Sequence, residues 1–366
     1  MSHGRPLAGF TVGVTAERRR DELEALLRRR GARVVSAPAI TIVPLLDDDA
    51  LHAATELCLG RPPDVVVATT GIGFRGWLSA AEGWGIGDAL RAVLRRARLI
   101  ARGAKPCGAI RAAGLSEAWS APSESCAEIL RELLAEGVAG QRIAVQLHGG
   151  PQEEFVAGLR AAGADVVEVP VYRWTVPDDT GPVQRLVEQV LAGQVDAVTF
   201  TSAPAVTSLL DVAGPAAARS LLGLFAGPVL AACVGPVTAA PLRAAGVPAL
   251  EPPRARLGAL VKAVTDELPR RARRVRVAGA ELELRGHAVL VDGSVRALAP
   301  ASMATLSALA ERPGAVVSRA VLTAALSRGA DGHAVDMAVA RLRSALGSPR
   351  YIETVIKRGY RLRVDA

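Results

Sequence analysis

The chain has 366 residues, half of them hydrophobic and 22% charged, enough for two or three cored domains and too apolar for broad disorder. Aromatics make up only 3%, so the cores must come from Ala, Val, Leu and Ile. Four scattered cysteines, Cys58, Cys107, Cys126 and Cys233, form no CxxC pair, which excludes a disulfide scaffold or a cysteine zinc module and fits the cytoplasm. Met1–Arg20 lacks the apolar run of a secretory signal. Ser220–Leu242 carries no charge, but its glycines and prolines would break a membrane span, so it reads as a helix end, a buried strand and a new helix.

Up to Leu268, short β-branched runs alternate with helical stretches. Strands are expected at Thr11–Thr15, Val34–Ala37, Asp64–Thr70, Leu99–Gly103, Arg142–Leu147, Val166–Val169, Asp196–Thr201 and Val229–Val234. Helices are expected at Arg18–Arg30, Ala127–Glu136, Glu153–Ala162 and Val183–Leu191. Apolar runs without polar alternation, such as Val65–Val67, indicate parallel sheets covered on both faces and an α/β class. Gly31–Ala39 resembles Gly163–Val171, and Asp64–Gly73 resembles Asp196–Val206. Two related lobes would produce that echo, as would chance among βα units.

A helix near Leu257–Leu268 closes this body, and 269–273 reads as a linker. Beyond it the pattern changes. Val275–Val277, Ala280–Leu284, Ala288–Val291 and Val295–Leu298 are short strands. Helices follow at Pro300–Glu311, Arg319–Leu326 and His333–Leu346, then a hairpin, Tyr351–Val355 and Tyr360–Val364, turning at Lys357–Gly359. From Arg270 onward there are 16 Arg and 1 Lys against 8 acidic residues, so the whole positive excess sits in this last quarter. That is the footprint of a nucleic-acid-binding module on a neutral body. Val335, Val339, Leu342 and Leu346 make one buried stripe on the third helix, leaving His333, Met337, Arg341 and Ser344 outward, with Arg343 near its end. A helix for the major groove and a basic-tipped wing for the backbone would follow, or else a solvated basic helix in a protein-binding domain.

Residues 274–364 resemble the winged-helix effector domain of PhoB/OmpR-type transcription factors. The matching motifs are Val335-Asp336, Leu342-Arg343, Glu353-Thr354-Val355 and Gly359-Tyr360. The resemblance implies a four-stranded sheet, three helices and a hairpin, with protomers paired as a homodimer on promoter direct repeats of double-stranded DNA. It implies a PhoB-type co-regulator or RNA polymerase as a further partner. DNA contacts are expected from His333, Met337, Arg341, Arg343, Thr354, Lys357, Arg358 and Tyr360. Met303, His333, Ala340 and Ile356 depart from the family's usual residues, so base contacts rest on fewer groups, with Arg341 foremost.

Gly71-Ile72-Gly73-Phe74-Arg75-Gly76 is a literal GxGxxG after a strand. It sits on an internal strand with no acidic residue about 20 positions on, against a dinucleotide site. Such turns still present free N–H groups to an anion, as do Thr201-Ser202-Ala203, Gly235–Thr238 and Gly103–Lys105. Each is an anion site or an ordinary helix cap.

Residues 7–268 resemble the uroporphyrinogen-III synthase family. The motifs are Thr11–Leu27, Asp64–Gly73, Ala101–Leu115, Val169–Trp174, Asp196–Val206 and Cys233–Val247. The fold class is then an α/β two-lobed uroporphyrinogen-III-synthase-like body plus an α+β winged helix-turn-helix domain. Lobe one would be 7–40 with 172–268, lobe two 41–171, the linker 269–273 and the DNA-binding domain 274–366. The family's enzyme cyclises hydroxymethylbilane with inversion of its last ring, without metal or cofactor, substrate carboxylates meeting backbone amides in the interlobe cleft. The implied ligand-binding residues are Thr70, Gly71, Gly73, Lys105, His148, Thr201, Ser202, Gly235 and Thr238. Tyr172 matches the family's assisting Tyr, so it would be the general acid of an enzyme or simply pack at the junction. Thr15-Ala16-Glu17 replaces the family's Thr-Arg-Pro, and Pro106 a usual Thr. His3, His52, His148, His287 and His333 show no metal spacing. The expected function is a cytoplasmic, ligand-controlled DNA-binding regulator sensing an anionic tetrapyrrole or other polycarboxylate; the architecture resembles actinobacterial nitrate/nitrite assimilation regulators, and that resemblance implies such genes as its targets. The alternative is a bifunctional protein that retains synthase activity.

Overall fold

The computed structural model describes residues 5–44, 49–122, 124–149, 152–326 and 332–365. The chain divides into two units, Met1–Ile40 with Val176–Ala366, and Thr41–Thr175.

The first unit opens with β1 (Thr11–Val14), α1 (Arg20–Arg29) and β2 (Arg33–Ser36). In α1, Leu23 and Leu27 lie one turn apart and are buried, with Asp21 and Glu22 in the first turn and Arg28 and Arg29 in the last. Those charges complement the helix dipole at both ends.

The second unit runs β3 (Thr41–Pro44), α2 (Asp49–Gly60), β4 (Val65–Ala68), α3 (Gly71–Gly83), α4 (Gly87–Arg96), β5 (Arg98–Ala101) and α5 (Ala104–Ala112). It continues through β6 (Trp119–Ser120), α6 (Cys126–Glu136), β7 (Arg142–Gly149), α7 (Glu153–Ala161) and β8 (Asp165–Thr175). The sheet order is β3-β8-β7-β4-β5-β6. Strand β4 shows why its sequence is uniformly apolar. Val66 packs with Phe74, Trp77 and Leu90 on one face, and Val65 and Val67 with Ile129, Leu133 and Leu159 on the other. Both faces are covered by helices, as parallel pairing requires.

Two features depart from the expected parallel sheet. The short β3 pairs antiparallel with β8, so this sheet is mixed. Strand β8 runs on past Pro170 to Thr175, where a stop near Val169 was expected. Proline is tolerated because β3 pairs only with Tyr172–Thr175, so no ladder bond on that edge needs the missing N–H.

The first unit resumes with α8 (Gly181–Leu191), β9 (Ala197–Phe200), α9 (Ala203–Phe225), β10 (Leu230–Cys233), α10 (Pro236–Ala244) and α11 (Leu257–Arg271). Helix α9 is broken where Gly214 adopts φ 74 before Pro215. Strands β10-β9-β1-β2 form a parallel sheet. The segment expected as a linker is helical through Arg271, with Pro269 near the end of α11, and β11 (Arg273–Val277) starts after the single residue Ala272.

Strands β11, β12 (Ala280–Arg285), β13 (Ala288–Val291) and β14 (Ser294–Ala297) form an antiparallel meander. Helices α12 (Pro300–Glu311), α13 (Arg319–Ala325) and α14 (Gly332–Leu346) follow, then a hairpin of β15 (Ile352–Val355) and β16 (Gly359–Leu362). One core joins Val277, Leu282 and Val289 of the meander to Leu306, Leu309, Leu322, Val339, Leu342 and Leu362.

Candidate functional site: ligand turns and a DNA-reading surface

In an open α/β sheet the ligand crevice forms at the carboxyl ends of strands where the order reverses. In the second unit that place is between β4 and β7. Thr70, the N-cap of α3, accepts a hydrogen bond from Gly73 N at 3.2 Å and one from Gln146 Nε2 at 2.8 Å. Gln146 is fully buried, and its Oε1 has no hydrogen-bond partner among the described residues. The first two glycines of GxGxxG here serve packing, while Gly76 faces open space. A Cβ on Gly71 would lie 2.5 Å from the Lys105 carbonyl, and one on Gly73 2.2 Å from Gln146 Nε2. The starts of α3 and α5 are therefore pressed together. Gly103, the α5 N-cap, has no side-chain cap bond, and Lys105 beside it is exposed. His148 lies on β7, and its side chain is outside the described residues. Tyr172 lies on β8 opposite Pro44, half-buried against the unit's core.

In the first unit the order reverses between β1 and β9. Thr15 follows β1 and donates its hydroxyl to the Thr199 carbonyl at 2.9 Å, while Thr199 donates to the Gly13 carbonyl at 3.0 Å. Next to them, Thr201 and Ser202 lead into α9, and Ser202 caps it without a side-chain bond. The adjacent β10 leads through Gly235 into α10, again without a side-chain cap; Thr238 is buried and Val237 is 73% exposed. Of the four turns, only α3 is closed by its own cap. The N-cap residues of α5, α9 and α10 supply no side-chain cap bond to the first N–H groups, which suits an anion. Gln146, at one reversal point, has no signal in the sequence, and Thr15, at the other, stands out there only as part of Thr15-Ala16-Glu17. A strand-order reversal is invisible until the pairing is known.

The DNA-reading side is built on α14. Val335, Val339, Leu342 and Leu346 are buried, and His333, Met337, Ala340, Arg341 and Ser344 are exposed. Arg343 turns back instead. Its Nη2 donates to the Ile352 carbonyl at 2.6 Å and to Thr354 Oγ1 at 2.9 Å, tying α14 to the wing. Tyr360 is only 4% exposed, and its hydroxyl donates to Asp336 Oδ1 at 2.6 Å. Arg319 donates to the same Asp336 oxygen at 3.0 Å and stacks over the Tyr360 ring at 5.1 Å. The Tyr360 and Arg319 hydrogen bonds hold the Asp336 carboxyl below its usual range, while burial first, then Asp336, pushes the Tyr360 hydroxyl up. Arg343, Thr354 and Tyr360 thus fix the frame, and His333, Met337, Arg341, Lys357 and Arg358 remain on the exposed edge. At the wing tip Lys357 adopts φ 58 and Ile356 is 82% exposed. Gly359 is required there, because a Cβ would lie 2.0 Å from the Val317 carbonyl where Val317 and Tyr360 exchange backbone hydrogen bonds.

Residues 21–262 match the family model described as uroporphyrinogen-III synthase HemD. The chain belongs to the uroporphyrinogen-III synthase HemD family. Residues 293–362 match a second model, the C-terminal domain of transcriptional regulatory proteins, so the HemD body is fused to an OmpR/PhoB-type DNA-binding domain. Among curated relatives, the uncharacterized protein YjjA of Bacillus subtilis is 30% identical over 260 residues, covering 70% of this chain and 96% of the relative. A putative uroporphyrinogen-III synthase of Methanothermobacter thermautotrophicus is 34% identical over 134 residues, 36% of this chain and 52% of that protein. A crystal structure of a mutant uroporphyrinogen III synthase from Thermus thermophilus superposes with TM-score 0.57 at 27% identity, covering 70% of this chain and all of that one. Among the described residues no helix of the HemD-family chain is long and apolar enough to cross a membrane, and no group of three or more His, Cys, Asp or Glu side chains is placed to hold a metal.

Proposed function

We propose that the chain is a one-component transcriptional regulator of the cytoplasm. Its HemD body binds an anionic tetrapyrrole or related polycarboxylate, and its winged helix reads promoter direct repeats as a homodimer, alongside RNA polymerase or a co-regulator. The observation that carries this reading is the coexistence, in one chain, of helix N-termini without side-chain caps at the strand ends and a buttressed helix and wing with Arg341, Lys357 and Arg358 exposed. Backbone N–H groups and helix dipoles recognise carboxylates without needing a charged side chain. The ligand acts by its differential affinity for two states of the protein, since a ligand that binds both equally shifts nothing. Nitrate and nitrite assimilation genes are the proposed targets, because nitrite reduction needs siroheme and a tetrapyrrole level reports that demand.

The test is genome-wide footprinting of the full-length protein with and without uroporphyrinogen III. Ligand-dependent occupancy upstream of nitrogen genes is the expected result, and occupancy unchanged by ligand overturns the sensor reading. Tyr172, half-buried on β8, favours a second reading in which the body retains synthase activity. Turnover of hydroxymethylbilane to the type III isomer, lost in Tyr172→Phe, would establish it.

A further inference from the structure

The effector module and the β10-β9-β1-β2 sheet belong to the same unit, and their junction is polar, close and specific. It is made by the turn between β12 and β13. Arg285, whose side chain is only 7% exposed, donates Nη1 to the carbonyls of Pro6 at 2.9 Å and Ala8 at 2.8 Å. Its other edge pairs with Glu283 at 2.8 Å, and its guanidinium lies 5.0 Å from the Phe10 ring centroid. A planar fork that meets two carbonyls, a carboxylate and an aromatic face is a role lysine cannot fill.

Next along the turn, a Cβ on Gly286 would lie 2.2 Å from the carboxylate of Asp196, which itself accepts a hydrogen bond from Thr11 N at 2.7 Å. His287 N donates to the Gly9 carbonyl at 2.9 Å, and its Nδ1 lies 3.4 Å from Thr11 Oγ1. Gly9, at φ +90, is matched from the other side, since a Cβ there would lie 2.9 Å from Ala288 Cβ. Two glycines, one on each partner, let the backbones meet.

We infer that Arg285, Gly286 and His287 form a docking latch that seats the DNA-binding module on the amino ends of β1 and β9, so that module and lobe move as one body. Of the turns described above, Thr15 and Thr201–Ser202 lie at the opposite, carboxyl ends of these same two strands. The sheet is then a strut between the sensing end and the reading end. This inference holds whether or not the body binds a tetrapyrrole.

The experiment uses the full-length protein with Cys126→Ser and spin labels on Arg29→Cys and Glu311→Cys, both exposed and both within this unit. Pulsed electron resonance should give one narrow distance distribution. Arg285→Ala, and separately Gly286→Val, should abolish the narrow peak while circular dichroism and binding to non-specific duplex DNA persist. A broad distribution in the parent protein, or a narrow one retained in both variants, overturns the latch. If either variant fails to fold, the other decides; if both fail, the width in the parent protein decides alone.

Discussion

Asp196 shows how a single residue reports on the junction. Burial pushes its carboxyl up to about 6, against a smaller opposing effect of the hydrogen bond from Thr11. The folded protein therefore holds this proton where the unfolded chain releases it, so stability falls as pH rises from about 4 to about 7, by on the order of 2–3 kcal/mol. His287 works in the opposite sense. Burial, then the Arg33 charge, holds its imidazole below the ordinary value, so stability is lost as pH falls through the range where the unfolded histidine gains a proton. The charged groups nearby are Arg285 on the turn and Arg271 and Arg273 beside the small cavity that Asp196 lines. We predict that Asp196→Asn raises thermal stability near pH 7.5 and removes the alkaline arm of the profile, leaving the acid arm to His287; melting curves across this range measure it. Identical pH profiles in the two proteins would refute the assignment.

Arg341 belongs to the same scale. It is exposed on α14, one turn beyond Met337, and no other described side chain is shown engaging it. Arg341→Ala should cost about 1–3 kcal/mol at the cognate site and relax preference at one base position, measured by competition with substituted operators.

Among the elements, α14 and the wing depend on a frame that sits behind the reading edge. Tyr360→Phe deletes the hydroxyl that joins Asp336 to Arg319, leaving the ring between them. The expected outcome is a severalfold loss of affinity for every sequence alike, with no change in base preference, seen in fluorescence anisotropy against cognate and random duplexes. A selective loss at one base would instead make Tyr360 a reader. The buried stripe of α14 could be placed from its spacing alone, and so could the exposed Arg341 and Lys357. The inward turn of Arg343 could not, because its partners Ile352 and Thr354 come from a strand whose position only the fold sets. Strand β3 was equally unreadable, since four residues, Thr41–Pro44, are too few to show a period. Helix α11 was expected to stop short of Pro269, although a proline near the last turn gives up only one backbone bond.

At the scale of the whole molecule, composition divides the work. All the excess positive charge lies beyond Arg270, while the HemD body is close to neutral. The salt dependence of DNA binding by the full chain should therefore come from the last quarter. Lys357→Ala with Arg358→Ala should lower the slope of log affinity against log salt by about 2, one for each phosphate left without its cation. An unchanged slope would mean that other side chains neutralise the phosphates. The α/β class, most of the longer strands and the winged-helix motifs were legible in the residues. The mixed pairing of β8, the reversal points at Thr15 and Gln146 and the seat for Arg285 all come from segments distant in sequence, and no local pattern encodes them.

Ala272 alone separates the end of α11 from the start of β11. A joint of one residue leaves little slack, so it limits how far the module could stray once the Arg285 seat is lost, as a short hinge limits a door. Lengthening that joint with a few glycines in an Arg285→Ala background would set the module swinging on a tether, and a chain so altered should still grip duplex DNA while ceasing to heed the body.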